Sequence, residues 1–292
     1  MTKEEFVERN FRGKTKALLS KINKVLDDYQ DKGHRLTLRQ LYYQLVSTDT
    51  IQNTEQEYHK LSRILADARM AGVVDWDVIE DRTRTPKIPP HFESIGQLVA
   101  SAADSYRLDR WKDQKYYVEV WLEKDALSGI LEPITRRYHV HLLVNRGYPS
   151  VSAMYDSAKR IKVQTHINKK PSRILYLGDH DPSGENMVQD IEKRLREFGA
   201  FAVGVQKIAL TMEQIEHYNL PPNPAKRSDP RYDKYVRIHG NRSWELDALR
   251  PEVLTALVQS HIKKLVNHRK FNAVIRQEER EKMRLVRLSK RL

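Results

Sequence analysis

The spacing of apolar positions changes character near residue 116. Before it, apolar residues recur at helical intervals. Leu18, Leu19, Ile22 and Leu26 share one face of a first helix, with Thr2 and Glu5 at capping-box spacing ahead of it and Gly33 at its end. Thr37 with Gln40 opens a second helix, Leu38 to about Val46, and Thr54 with Glu57 a third, ending near Met70 before Gly72. Val73–Ile79 alternates like a short strand, Thr85–Pro90 marks a break, and a helix is predicted from Ser94 to about Tyr106. The polar stretch Asp109–Lys115 reads as a linker. From there strands at Tyr116–Leu122, Val140–Val144, Arg173–Leu177 and Phe201–Val205 alternate with helical patterns near 125–138, 150–163 and 185–198. That rhythm predicts a parallel sheet with helical crossovers. A capped helix, Thr211 to about Tyr218, a proline-rich loop at 221–224 and a long terminal helix from about Pro251 complete the chain.

These elements predict an α/β protein in three parts: a mostly helical domain over 1–110, a sheet domain over 116–250 and a terminal helix over 251–292. Three helices followed by a short strand pair is the pattern of a winged-helix DNA-binding module. Lys60, Arg63 and Arg69 on its third helix are then candidate DNA-phosphate contacts. The alternative is an ordinary helical bundle whose charges are solvated.

Charge sharpens the picture. The net charge is +13, which favours a polyanionic partner such as double-stranded DNA. Residues 261–292 hold five lysines and six arginines against three glutamates, +8 of that total. Leu265, Phe271, Val274 and Ile275 point to packing for part of this helix, with Arg284–Arg291 expected in solvent. Without cysteine, disulfides and Cys-ligated zinc are excluded. The start lacks an apolar signal core and no run is long enough to span a membrane, so a cytoplasmic, nucleoid-associated protein without membrane partners is expected. No Gly-x-x-x-x-Gly-Lys phosphate loop is present, which argues against an ATP motor.

Candidate chemistry gathers at strand ends. Gly178-Asp179-His180-Asp181-Pro182-Ser183-Gly184 follows the third strand, and Glu123-Lys124-Asp125 follows the first. Glu123, Asp179 and Asp181 place hard oxygen donors at the rim of a sheet, a set suited to Mg²⁺, with Mn²⁺ as a substitute. Glu119 and Glu185 are spare acids nearby, whereas His180 alternates away from the aspartates and is assigned no ligand role. His139 and His141 are expected to flank a strand start rather than bind metal. Arg146, in Asn145–Ser150 between a strand and a helix, is a further candidate phosphate contact. In Thr37–Tyr43, Arg39 lies four residues before Tyr43 on one helix face. A phenol beside an arginine and a metal can attack a phosphodiester, although a tyrosine pair is more often one core and one surface aromatic.

Val120–Leu127, Gly147-Tyr148-Pro149 and Gly178–Gly184 together resemble the Toprim domain (a Rossmann-like, mainly parallel fold) of topoisomerase VI A subunits and the meiotic double-strand-break transesterase. Arg39–Tyr43 resembles the nucleophile motif of that family's winged-helix domain. The likeness covers most of residues 30–250 in the same motif order. It implies Tyr43 as nucleophile, Arg39 as its companion and Glu123, Asp179 and Asp181 as Mg²⁺ ligands. It further implies a homodimer in which each tyrosine faces the partner's metal site, a 5′-phosphotyrosyl link, rejoining by reversal, and a separate ATPase subunit as partner. The chain is shorter than those A subunits, and Ser183 and the segment 244–249 depart from them. It resembles a compact, stand-alone relative, such as the minimal A-type proteins of mobile elements and prokaryotes. Related proteins of plasmid defence act as hydrolytic nucleases with metal alone, so a hydrolase without the tyrosine, and a non-catalytic DNA-binding protein, stand as alternatives.

Overall fold

The computed structural model describes residues 3–79 and 91–292. Helix α1 (Gly13–Asp31) buries Leu19, Ile22, Leu26 and Tyr29, one stripe at helical spacing. Gly33 follows it with φ 75°, a conformation that glycine adopts without steric cost. Thr2 lies outside the described residues, and the helix begins eleven residues beyond the expected cap. The segment before it instead runs against the end of α3 (Glu55–Met70), where Phe6 and Val7 donate their amides to the Met70 carbonyl at 2.8 and 3.0 Å.

The capping signals between these helices hold. α2 (Leu38–Ser47) starts with a full capping box: Gln40 N–H donates to the Thr37 hydroxyl at 3.3 Å, and Thr37 N–H to the Gln40 side-chain carbonyl at 2.7 Å. Thr54 caps α3 and Ser94 caps α4 (Ile95–Ser105). Val73–Ile79 differs from expectation. It forms turns, with a single bridge between Leu36 and Ile79, because Asp75 binds its own backbone at Asp77 and Trp76 packs under Arg69. The break at Thr85–Pro90 lies outside the described residues.

Asp109–Lys115 is a packed bracket rather than a linker. Trp111 is buried with its indole N–H on the Tyr138 carbonyl, and Gln114 exchanges two hydrogen bonds with the backbone of Asn267.

The sheet has four parallel strands: β1 (Tyr117–Leu122), β2 (His141–Val144), β3 (Ser172–Leu177) and β4 (Val203–Ala209), in the order β2-β1-β3-β4. Between them run α5 (Ser128–Tyr138), α6 (Val151–Lys162) and α7 (Pro182–Glu197). Phe201 stays exposed ahead of β4, which runs four residues past its expected end. Period-2 alternation divides β1 between two cores, since both faces are covered. Tyr117 and Trp121 face Met154, Ile161, Met187 and Ile191 of α6 and α7. Val118, Val120 and Leu122 join the cluster that also holds Leu19, Leu41, Tyr43 and Leu254, so one core spans the N-terminal helices and the sheet.

Beyond β4 come α8 (Met212–His217) and a short antiparallel pair, β5 (Asn223–Pro224) with β6 (Arg242–Ser243), enclosing α9 (Tyr232–His239). The expected terminal helix is two, α10 (Pro251–Leu265) and α11 (His268–Ser289). They break at Val266, after which the Asn267 side chain caps α11. α11 packs along α4. Among the described residues, no helix is long and apolar enough to cross a membrane.

Candidate functional site

The chain passes from β1 to β2 on one side, then crosses to β3 on the other. The carboxyl ends of β1 and β3 therefore flank a topological switch point, where open α/β sheets form ligand crevices. Leu122 pairs with Leu177, so Glu123 and Gly178 leave the sheet side by side. The Glu123 carboxylate oxygen Oε2 accepts from the Asp179 amide at 3.0 Å and from the Tyr176 hydroxyl at 3.1 Å. A Cβ at Gly178 would lie 2.5 Å from that oxygen and 2.7 Å from a ring carbon of the fully buried Tyr176, so this close approach of the two rims requires glycine. Asp181 caps α7, its Oδ1 accepting from Gly184 N–H at 2.6 Å. Asp179 is buried, with Oδ1 accepting from Leu246 N–H at 2.7 Å.

A lysine occupies the centre of this acidic rim. Lys124 Nζ lies 3.1 Å from Asp179 Oδ1, 2.8 Å from Glu245 Oε2 and 2.5 Å from Asp247 Oδ2. Burial pushes the Asp179 carboxyl up to about 7; Lys124 opposes this, and the charges of Glu123 and Asp247 add to it. Burial alone would lower the lysine, yet Asp247, Asp179 and Glu245 hold it well above its ordinary value and therefore charged. Sequence reasoning missed Lys124, Glu245 and Asp247 as members of the site. The alternation of Glu245 and Asp247 is a signal for those two acids, within the segment that departs from the family pattern.

α2 closes the crevice. Its tyrosines are both buried, against the usual division into core and surface. Tyr42 donates within the segment Asn53–Thr54. The Tyr43 hydroxyl accepts from the Asn223 side chain at 3.4 Å. Burial first, and then the Glu245 charge, hold its phenol well above the ordinary value. Arg39 Nη1 lies 3.6 Å from Glu245 Oε2, so Glu245 stands among Arg39, Lys124 and Tyr43. Arg39, Tyr43, Asp179, Asp181, Asn223 and Glu245 line one cavity of about 500 Å³. Arg39, Glu123, Lys124, Arg69 and Arg146 line another of about 600 Å³. Tyr43 thus shares a cavity with the two aspartates of its own chain.

The three expected metal ligands are brought to one rim but not to one point. Glu123 lines one cavity and the aspartates the other. Among the described residues the triple whose ligand atoms lie within 4.8 Å of one another is His180, Glu185 and His239. The set still suits a hard cation in chemistry, because the hydrogen bonds above fall on one oxygen of each carboxylate. Glu119 is no spare ligand. It is fully buried and takes hydrogen bonds from Tyr117, Trp121 and Arg160.

The candidate phosphate contacts divide. Lys60 and Arg63 are exposed on α3, and Lys60 pairs with Glu57 at 3.0 Å. Arg69 lies on the opposite side of the helix from Lys60, roughly 180° away at 100° per residue. It is half-buried, stacks 4.4 Å from the Trp76 ring and lines the larger cavity. These three do not form one face. Arg146, with φ 52°, is mostly exposed and pairs with Asp125 at 2.9 Å on the cavity rim. His139 ends α5 and His141 begins β2, as expected of residues flanking a strand start. Compared with profiles of known protein families the chain matches none, and a search of curated proteins finds no significant match.

Proposed function

We propose that the chain is a Mg²⁺-dependent DNA transesterase of the kind its motifs resemble, with Tyr43 as nucleophile. The supporting observation is the shared cavity in which Tyr43 and Arg39 meet Asp179 and Asp181 at the switch point of a parallel sheet. In this reading Tyr43 Oη attacks the scissile phosphorus and the bond to the 3′ oxygen breaks. The products are a 5′-phosphotyrosyl link and a 3′ hydroxyl, the departing oxygen taking its proton from water. Burial would raise Glu245, but Lys124 and Arg39 hold it below its ordinary value and so ionised, and it stands beside the phenol as the acceptor for its proton once the phosphate and a bound cation lower the phenol. Arg39 supplies positive charge to the phosphate. Glu123, Asp179 and Asp181 would hold Mg²⁺ or Mn²⁺, which when bound neutralises charge on the phosphate. The N-terminal helices act as a winged-helix-like DNA holder. Tyr43 lies at the aspartate rim of its own chain, where the resemblance implies the partner's; a homodimer provides the second cut, and a separate ATPase subunit is a further partner.

The near-complete burial of Tyr43, 5% exposed, favours a second reading in which metal-dependent hydrolysis proceeds without it. Supercoiled plasmid incubated with protein and Mg²⁺ or Mn²⁺, stopped with detergent, separates the two. Transesterification leaves protein covalently on 5′ ends until protease digestion, and Tyr43→Phe abolishes these adducts. Free ends that Tyr43→Phe leaves unchanged would establish the hydrolase. Binding without breaks, unaffected by Asp179→Asn, would point to a non-catalytic DNA-binding protein.

A further inference from the structure

His180 lies between the two rim aspartates in sequence, but its ring turns the other way, toward α9. Its backbone is clamped in both directions to Trp244, at 2.9 Å for each bond, and its side chain is 3% exposed. His180 Nδ1 lies 2.9 Å from the Tyr235 hydroxyl. That hydroxyl also meets two backbone carbonyls, of His180 at 3.0 Å and of Arg242 at 2.9 Å. A phenol has one proton, and carbonyl oxygens can only accept. Two carbonyls compete for that proton, and with the proton on either of them the contact with the ring is satisfied by Nδ1–H donating to the phenol oxygen. This tautomer leaves a lone pair on Nε2.

Nε2 faces Glu185 Oε1 at 3.7 Å, with the His239 ring edge-on and 4.8 Å away between centroids. The Nε2 lone pair, the Glu185 carboxylate and the second imidazole surround one space that a cation can occupy. Lys207 sits on Glu185 Oε1 at 2.6 Å and donates to the Asp179 carbonyl, so its ammonium is already engaged. We propose that His180, Glu185 and His239 form a transition-metal site of the zinc class, separate from the aspartate rim. The donors are right for such an ion: two imidazoles and one carboxylate, with a non-ligating ring N–H fixed by an outer hydrogen bond. Their ligand atoms already lie within 4.8 Å of one another, so sub-ångström to ångström side-chain movements complete the coordination. A cavity of about 190 Å³ adjoins Glu185 and His239 and has room for water as the fourth ligand. The ion would tie α9 to the loop carrying Asp179 and Asp181.

Zn²⁺ alone, titrated calorimetrically into metal-stripped protein, is expected to bind once per chain. Co²⁺ should give the intense visible absorption of a four-coordinate site. His239→Ala should weaken binding at least tenfold and abolish that absorption, its circular dichroism reporting whether the chain is folded. Tyr235→Phe keeps the ring but removes the acceptor for Nδ1–H, and should weaken Zn²⁺ about 10–100-fold. Absence of Zn²⁺ binding, or binding that both variants leave unchanged, would overturn the assignment. Binding lost in Asp179→Asn but intact in His239→Ala would overturn it too, placing the ion on the aspartate rim.

Discussion

At the scale of single residues, Lys124 organises the site. Its ammonium meets three carboxylates in a setting where its side chain is 15% exposed and that of Asp247 is fully buried. Removing one member of a buried ionic group leaves the others uncompensated, at a cost of about 3–5 kcal/mol. Lys124→Met is expected to lose stability of that order in urea unfolding. Because Asp179 and Asp247 then lack a cation and Glu245 keeps only Arg39, added Mg²⁺ should stabilise the variant more than the parent. Equal effects of Mg²⁺ on both would show that the lysine and a metal do not compete. Asp179 predicts a pH dependence of definite sign. Its carboxyl titrates near 3.8 when unperturbed and at about 7 in the folded chain. Across that window the folded state holds a proton that the unfolded chain has released, so the contribution of Asp179 to stability falls as pH rises. Asp179→Asn should remove this slope from denaturation curves recorded between those two pH values.

At the scale of elements, α11 shows how a strongly basic helix is held. Glu278, 3% exposed, accepts from Arg110 at 2.8 Å and from the Leu108 amide at 2.9 Å, and Phe271 is buried against Trp111 and Tyr138. Burial raises the Glu278 carboxyl, but the hydrogen bonds from Arg110 and Leu108 outweigh it and hold it below its ordinary 4.5. The stability it contributes is present above 4.5 and is lost as pH falls through the lowered value. Glu278→Gln should therefore flatten the acid limb of the stability profile while leaving its alkaline limb in place. Phe271→Ala should cost about 3–5 kcal/mol in urea unfolding, as for other large core aromatics. The same elements mark where local reading ran short. The pairing of Glu278 with residues 107–110 spans some 170 positions in sequence, and nothing local signals it. Thr2 and Glu5 had capping spacing, but Phe6 packs edge-on to Trp76 instead, a contact across the fold.

At the scale of the molecule, a charge of +13 is expected to make duplex binding steeply dependent on salt. If Arg146 touches a phosphate, Arg146→Ala should weaken binding to all sequences alike and reduce the slope of log K against log salt by about 1. An unchanged slope would assign Arg146 to its pairing with Asp125 alone. Filter binding or anisotropy over a range of salt concentrations gives both quantities. The large-scale arrangement also bears on how the tyrosine reaches the rim. α2 joins the same apolar cluster as β1 and α10, so Tyr43 and the aspartates are carried by one continuous core rather than by two loosely tethered bodies.

Much of this protein is determined locally. Hydroxyl caps at Thr37, Thr54 and Ser94 mark helix starts because they satisfy backbone amides within three residues. The alternation of strands and helices after residue 116 yields a parallel sheet because apolar runs covered on both faces have few other ways to be buried. Strand ends carrying Glu123, Asp179 and Asp181 follow from the same pattern. Tertiary structure alone decided what those acids meet. Lys124, Glu245 and Asp247 converge only because the segment after β6 returns to the rim, pairing Trp244 with His180. The same return turns His180 away from the aspartates and toward Tyr235 and His239. Side-chain charge is written in the sequence, but which charges share a low-dielectric space depends on contacts more than a hundred residues apart.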